Sequence, residues 1–203
     1  NNMRNNEIKI GITGSTGALG SILTKKLIKK KYNVDIFQSD IRKISKVKSW
    51  IKNNDFDAIF HLASLVPVKL CNEDPLKACA INIDGTDNIV QAIKGLAKIP
   101  WLFYASTSHV YKLKQTPIAE TDNISPRTFY GYTKLMGEKL LESSPSEYDL
   151  NYCIGRIFSF YSTAQSDHFL FTSIRKKLKE NQNSIFISNA NNVLDIQKAE
   201  SVV

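Results

Sequence analysis

The chain has 203 residues, 42% of them hydrophobic and 23% charged, which is enough to bury a sizeable core in one domain, or one domain with part of a second. No apolar run reaches the ~20 residues of a membrane span, residues 1–6 lack the apolar stretch of a secretion signal, and Cys71, Cys79 and Cys153 show no metal-ligand spacing, so a cytoplasmic protein with reduced thiols, no membrane partner and no metal is expected. The net charge is +8, but Lys25-Lys26, Lys29-Lys30-Lys31 and Arg175-Lys176-Lys177 fall inside amphipathic patterns, which reads as solvated helix faces, with a mild pull on anionic ligands, and argues against nucleic acid as a partner.

Residues 8–13 are a β-branched run that ends in glycine and read as a strand. Residues 19–30 repeat apolar side chains at Leu19, Ile22, Leu23 and Leu27, a helical period. A second strand is predicted over 34–38, a helix over 47–53 and a third strand over 58–62. Asp74-Pro75 starts a helix with proline at its first position, and its expected apolar face runs Leu76, Cys79, Ala80, Ile83, Val90, Ile93, Ala97. Residues 101–105 are apolar throughout, as suits a strand covered on both faces. A helix over 130–142, a strand over 152–158, a helix over 169–179 and a short strand over 185–187 complete the pattern. Regular β-α alternation predicts a parallel sheet with helices on both sides.

The first strand runs into Thr13-Gly14-Ser15-Thr16-Gly17-Ala18-Leu19-Gly20, and a helix follows. Glycines three apart let the chain turn tightly and bring backbone N–H groups close to a pyrophosphate, and the helix N-terminus adds partial positive charge. In this strand–turn–helix setting the loop predicts a Rossmann-type, doubly wound α/β domain. Gly14, Thr16, Gly17, Ala18 and Leu19 are the candidate contacts of a dinucleotide, NAD or NADP.

The same residues resemble the TGxxGxxG loop of the extended short-chain dehydrogenases/reductases, the NAD-dependent epimerase/dehydratase group. Four later segments match the family's motifs in order: His61-Leu62-Ala63-Ser64, Asn82-Ile83-Asp84-Gly85-Thr86, Ala105-Ser106-Thr107-Ser108-His109-Val110-Tyr111, and the YxxxK of Tyr130-Gly131-Tyr132-Thr133-Lys134. The resemblance implies that Leu62, Ala63, Ser64 and Asn82 lie beside the cofactor. It also implies that Asp40-Ile41 is the family's pair near the adenine. The second strand ends in Gln38-Ser39 rather than an acidic residue, and Arg42 and Lys43 follow, so NAD and NADP both remain open.

Tyr130 and Lys134 are four apart on a predicted helix and share one face. Moving a phenol from its ordinary pKa near 10 to neutrality takes about 4 kcal/mol, which an ammonium and a positive nicotinamide could supply. The phenol could then exchange a proton with a sugar oxygen while the nicotinamide exchanges a hydride. By resemblance the third catalytic group is a hydroxyl, Thr107, with Ser106 and Ser108 as adjacent alternatives. Ser108 and His109 stand where the family's dehydratases carry acids, which disfavours dehydration. Both become candidate substrate contacts, as does Ser159.

Some family signatures are altered. Lys112 replaces a glycine after Val110-Tyr111. Ser159 replaces an asparagine in the segment from Arg156, Ser162 and Thr163 replace a glycine and a proline, and Leu194 replaces an arginine. The expected organisation is a dinucleotide-binding domain over 1–158 and a small, apparently incomplete C-terminal substrate-binding part over 159–203. The resemblance implies an epimerase or reductase of a nucleotide-activated sugar, with a non-catalytic NAD(P)-binding protein as the alternative. It also implies a homodimer, formed through the helices over 74–96 and 130–142.

Overall fold

The computed structural model describes residues 7–144, 149–165, 169–180, 184 and 195–203. Five parallel strands make the main sheet: β1 (Lys9–Thr13), β2 (Asn33–Ile36), β3 (Ala58–His61), β4 (Trp101–Thr107) and β5 (Tyr152–Ile157). Their order is β2-β1-β3-β4-β5. From β1 the chain builds outward to β2, then returns to β1's other side and builds through β3, β4 and β5. The reversal opens a crevice beyond the carboxyl ends of β1 and β3, where doubly wound sheets bind ligands. A two-stranded sheet, β6 (Phe160–Tyr161) with β7 (Gln197–Lys198), lies past β5.

The helices are α1 (Ala18–Lys29), α2 (Ile44–Lys52), α3 (Val68–Glu73), α4 (Pro75–Cys79), α5 (Gly85–Ile93), α6 (Phe129–Ser143), α7 (Leu170–Lys179) and α8 (Ala199–Val202). A π turn, Ala80–Asp84, joins α4 to α5, and a 3₁₀ turn, Ser108–Val110, follows β4. The core forms where α2 and α5 pack together and α6 lies on β4. Val47 and Ile51, one turn apart on α2, are buried with Ile89 and Ile93 of α5, Ile59 of β3 and Leu102 of β4. Each such side chain removed from water stabilises the fold by about 1.5–3 kcal/mol. On the other flank α1 packs against α8.

The expected elements are present within a residue or two at most boundaries. Two differences stand out. Residues 68–73 are helical, although they were not expected to be, and the helix expected from Asp74 is broken by the π turn. The short strand expected over 185–187 and the altered position Leu194 lie outside the described residues.

Candidate active site

The crevice is a cleft of about 740 Å³. Its floor is the glycine loop. Gly14 has φ +73°, and a Cβ there would sit 2.6 Å from the backbone of Leu62 and Ala63, so a bare residue is required for the loop to pass the end of β3. Thr13 secures the crossing: its Oγ1 is 2.7 Å from His61 Nδ1 and accepts from Ala63 N at 3.2 Å. Gly17 caps α1 with ordinary angles and offers no side-chain acceptor to the helix's first N–H groups. The first turn of α1 also carries no acidic residue. Free donors and an uncompensated helix dipole therefore face the cleft, a setting suited to a pyrophosphate.

Of the candidate cofactor contacts, Gly14, Thr16, Gly17, Ala18, Leu19, Leu62, Ser64 and Tyr130 line the cleft. Asn82 does not reach the wall. It is buried in the π turn and spends its amide on the protein: Oδ1 accepts from Leu65 N at 2.7 Å and from the Ser64 hydroxyl at 3.0 Å. Its Nδ2 donates to Leu65 O at 3.1 Å and Thr133 Oγ1 at 2.9 Å. Asn82 thus shapes the loop after β3. Asp40 and Ile41 also lie off the wall. Ile41 is part of the core, and Asp40 is engaged by Arg42 through Nε at 2.9 Å and Nη2 at 2.6 Å, which holds its carboxyl down at about 2. Ala63 contributes its N–H to Thr13 rather than a cleft surface.

The far wall comes from β4 and α6. Thr107 ends β4, Ser108 and His109 follow in the 3₁₀ turn, and all three line the cleft with Tyr130. Thr128 caps α6 by accepting from Gly131 N at 3.0 Å. A Cβ on Gly131 would lie 2.5 Å from His109 O, so its absence lets the start of α6 press against the end of β4. That contact brings Tyr130 and Thr107 side by side in the cleft wall. The His109 ring stands edge-on to Tyr130 at 5.7 Å, and its Nδ1 is 3.3 Å from Thr128 Oγ1. Burial lowers the His109 pKa and so favours the neutral ring. Ser159, just past β5, lines the cleft opposite. Phe158, Phe160, Phe169, Leu170 and Phe171 make that side apolar.

Lys134 departs from the expectation in one respect. It shares a helix with Tyr130, but its Nζ lies over the Tyr104 ring, 4.1 Å from the centroid, and only 1% of the residue is exposed. Burial depresses its pKa to about 7, with Glu138 opposing the fall. Burial also raises the Tyr130 phenol above its ordinary value, while the Thr107 side chain works the other way. In the free protein the phenol therefore keeps its proton. The protein alone does not supply the lowering expected from the i, i+4 spacing.

One residue of the site's surroundings was not singled out from the sequence. Glu138, one turn beyond Lys134, is fully buried and bonded to Ser106 and Arg156. Its position at the same helical spacing was the only sequence signal.

A parallel α/β sheet, a glycine loop under a helix N-terminus and a Thr and a Tyr side by side in one cleft define a dinucleotide-binding protein of the Rossmann type. Residues 10–202 match the profile of the NAD dependent epimerase/dehydratase family, and the chain belongs to that family. It is 30% identical over 207 residues to the uncharacterized UDP-glucose epimerase YtcB of Bacillus subtilis, an alignment covering 88% of this chain and 65% of that protein. The chain thus spans just under two thirds of the relative's length. The fold is similar to that of the UDP-glucose 4-epimerase of Thermotoga maritima, solved with UDP-glucose: TM-score 0.87, 21% identity, 96% of this chain and 71% of that one. It is also similar to the UDP-glucuronic acid 4-epimerase of Bacillus cereus, solved with UDP-glucuronic acid and NAD: TM-score 0.86, 23% identity, 95% and 70% coverage.

Proposed function

We propose that this chain is the cofactor-binding and catalytic part of an NAD-dependent epimerase acting on a nucleotide-activated sugar. One observation carries the reading: Thr107 and Tyr130 line the wall of the same cleft that the glycine loop floors. The relatives' names, UDP-glucose and UDP-glucuronic acid epimerases, support the substrate class and favour epimerisation over reduction.

The backbone N–H groups from Gly14 to Leu19 would hold the pyrophosphate. When bound, the nicotinamide supplies a hydride acceptor and donor at one sugar carbon. Thr107 orients the oxygen on that carbon by hydrogen bonding. Tyr130, once its own phenol proton has gone to solvent, would take the proton from that oxygen as the carbon loses hydride and would return it when hydride is restored on the opposite face. Positive charge lowers the phenol's pKa, so the Tyr130 proton becomes mobile when a cationic ring stands beside it. Lys134, which is not part of the cleft wall and whose Nζ lies over the Tyr104 ring, would have to turn toward the cleft to hold the nicotinamide ribose. Ser108, His109 and Ser159 would contact the sugar nucleotide, and residues 159–203 would begin the substrate side.

The test supplies UDP-glucose and UDP-glucuronic acid with NAD and follows product stereochemistry by NMR. Tyr130→Phe should bind NAD as the wild type does and lose turnover by about 10²–10⁴-fold. Full activity in that variant would overturn the role of Tyr130. Net consumption of NADH or NADPH would mark a reductase instead. NAD binding with no sugar nucleotide bound would favour the non-catalytic alternative.

A further inference from the structure

Glu138 belongs to no step described above, yet its carboxylate sits at a junction. The Ser106 hydroxyl donates to Oε1. Arg156 Nε donates to Oε1 at 3.1 Å and to Oε2 at 3.2 Å, and Arg156 Nη2 donates to Oε2 at 2.8 Å. Arg156 Nη1 continues to the Tyr111 hydroxyl at 3.0 Å, and the guanidinium lies over the Tyr111 ring, 4.9 Å from the centroid. A carboxylate removed from water is costly unless each oxygen is paired, and both are. An apolar side chain would hold a fold at least as well as such a pair, so stability alone does not account for a charge here.

The partners of this carboxylate stand beside the residues assigned chemistry. Ser106 adjoins Thr107 on β4. Arg156 lies on β5, three residues before Ser159 in the cleft wall. Glu138 shares α6 with Tyr130 and Lys134. Facing Lys134 are Tyr104 from β4, His61 from β3 and Glu138 from its own helix. Among these only Glu138 is a carboxylic acid, and it is ion-paired with Arg156. His61 is kept neutral by burial and by the Lys134 charge, which push its pKa to about 3.

We propose that Glu138 is a positioning residue: its carboxylate ties the Thr107 end of β4 and the cleft end of β5 to α6, and it supplies the negative charge that Lys134 faces inside the core. The inference rests on the reading of Thr107, Tyr130 and Lys134 as the working groups. Its test needs neither substrate nor turnover, so the two can fail separately.

The experiment labels the lysine side chains with ¹³C and titrates the Lys134 Cε resonance, assigned by its loss in Lys134→Met. In the free wild-type protein the midpoint should lie near 7. Glu138→Gln keeps the side-chain shape and removes the charge, so the midpoint should drop by about one unit or more. Its NAD affinity, read by calorimetry, should weaken at pH 7.5 and recover as the pH is lowered toward 6. Arg156→Met is the opposite arm. It leaves the carboxylate to Lys134, and the midpoint should rise. A Lys134 midpoint unmoved in both variants overturns the proposal. So does loss of folding in both, which would make the pair purely structural.

Discussion

Gly14 and Gly17 sit three residues apart in one loop under different demands. At Gly14 the left-handed φ and the 2.6 Å approach to Leu62 and Ala63 make any side chain a structural problem. At Gly17 a Cβ meets only Gly14 O, at 3.3 Å, and φ is an ordinary −71°. Gly14→Val should therefore lower thermal stability, and its loss of NAD binding would say little about contact. Gly17→Val should fold with a melting temperature near the wild type's and weaken NAD binding at least about tenfold, because its bulk enters the pyrophosphate cradle. Calorimetry beside thermal unfolding separates the two; unaltered NAD affinity in folded Gly17→Val would count against the cradle. Lys134 allows a test by pH. Its folded pKa of about 7 lies below the ordinary 10.5, so the unfolded chain holds more protons between those values. The cost of burying the ammonium is complete below pH 7 and is relieved as the pH rises toward 10.5. Lys134→Met should therefore stabilise the free protein below pH 7, by an amount on the order of 1–4 kcal/mol, with the gain fading by pH 10. A gain that does not change with pH would contradict this account.

At the scale of elements, what was legible in the sequence was local. The glycine loop and the Tyr130–Lys134 pair declare themselves by spacing within one turn or one helix; the loop and Tyr130 line the cleft, while the Lys134 Nζ lies over the Tyr104 ring instead. The long helix from Asp74 did not. A steady 3.6-residue period predicted a buried face from Leu76 to Ala97, but Leu76 is 84% exposed and Ala97 is exposed too. The π turn at Ala80–Asp84 shifts the phase. The buried set is Ala78, Asn82, Gly85, Thr86, Ile89, Val90, Ala92 and Ile93, of which only Val90 and Ile93 belong to the expected face. Asn82 is the polar member, and its bonds to Leu65 and Thr133 show what the irregularity positions: the loop after β3 and the first turns of α6. No periodicity announces a turn whose reason lies 17 and 51 residues away in the chain. The Glu138–Arg156 pair was illegible for the same reason. Its partners meet only once β4, β5 and α6 are packed together.

At the scale of the molecule, the helices expected to form a dimer carry exposed apolar side chains: Leu76 on α4, and Tyr132 and Met136 one turn apart on α6. Paired about a two-fold axis, these would be covered. The expected outcome is a homodimer by light scattering at micromolar concentration, which Met136→Glu converts to a monomer. A monomeric wild type would remove this proposal while leaving the cleft unaffected. A further consequence concerns the order in which the molecule comes together. The turn at Gly14 packs on the backbone just after β3, and Thr13 is bonded to His61 and Ala63 from that same end. β1 can pair with β2 early, since only α1 separates them, but the loop has nothing to lean on until β3 arrives, 48 residues later in register. The far wall waits longer still, for β4 and then α6. The cradle is therefore built from contacts of high sequence separation, which close slowly. A dinucleotide held there reports a completed sheet, and by mass action it stabilises all of β1 to β4 rather than the loop alone.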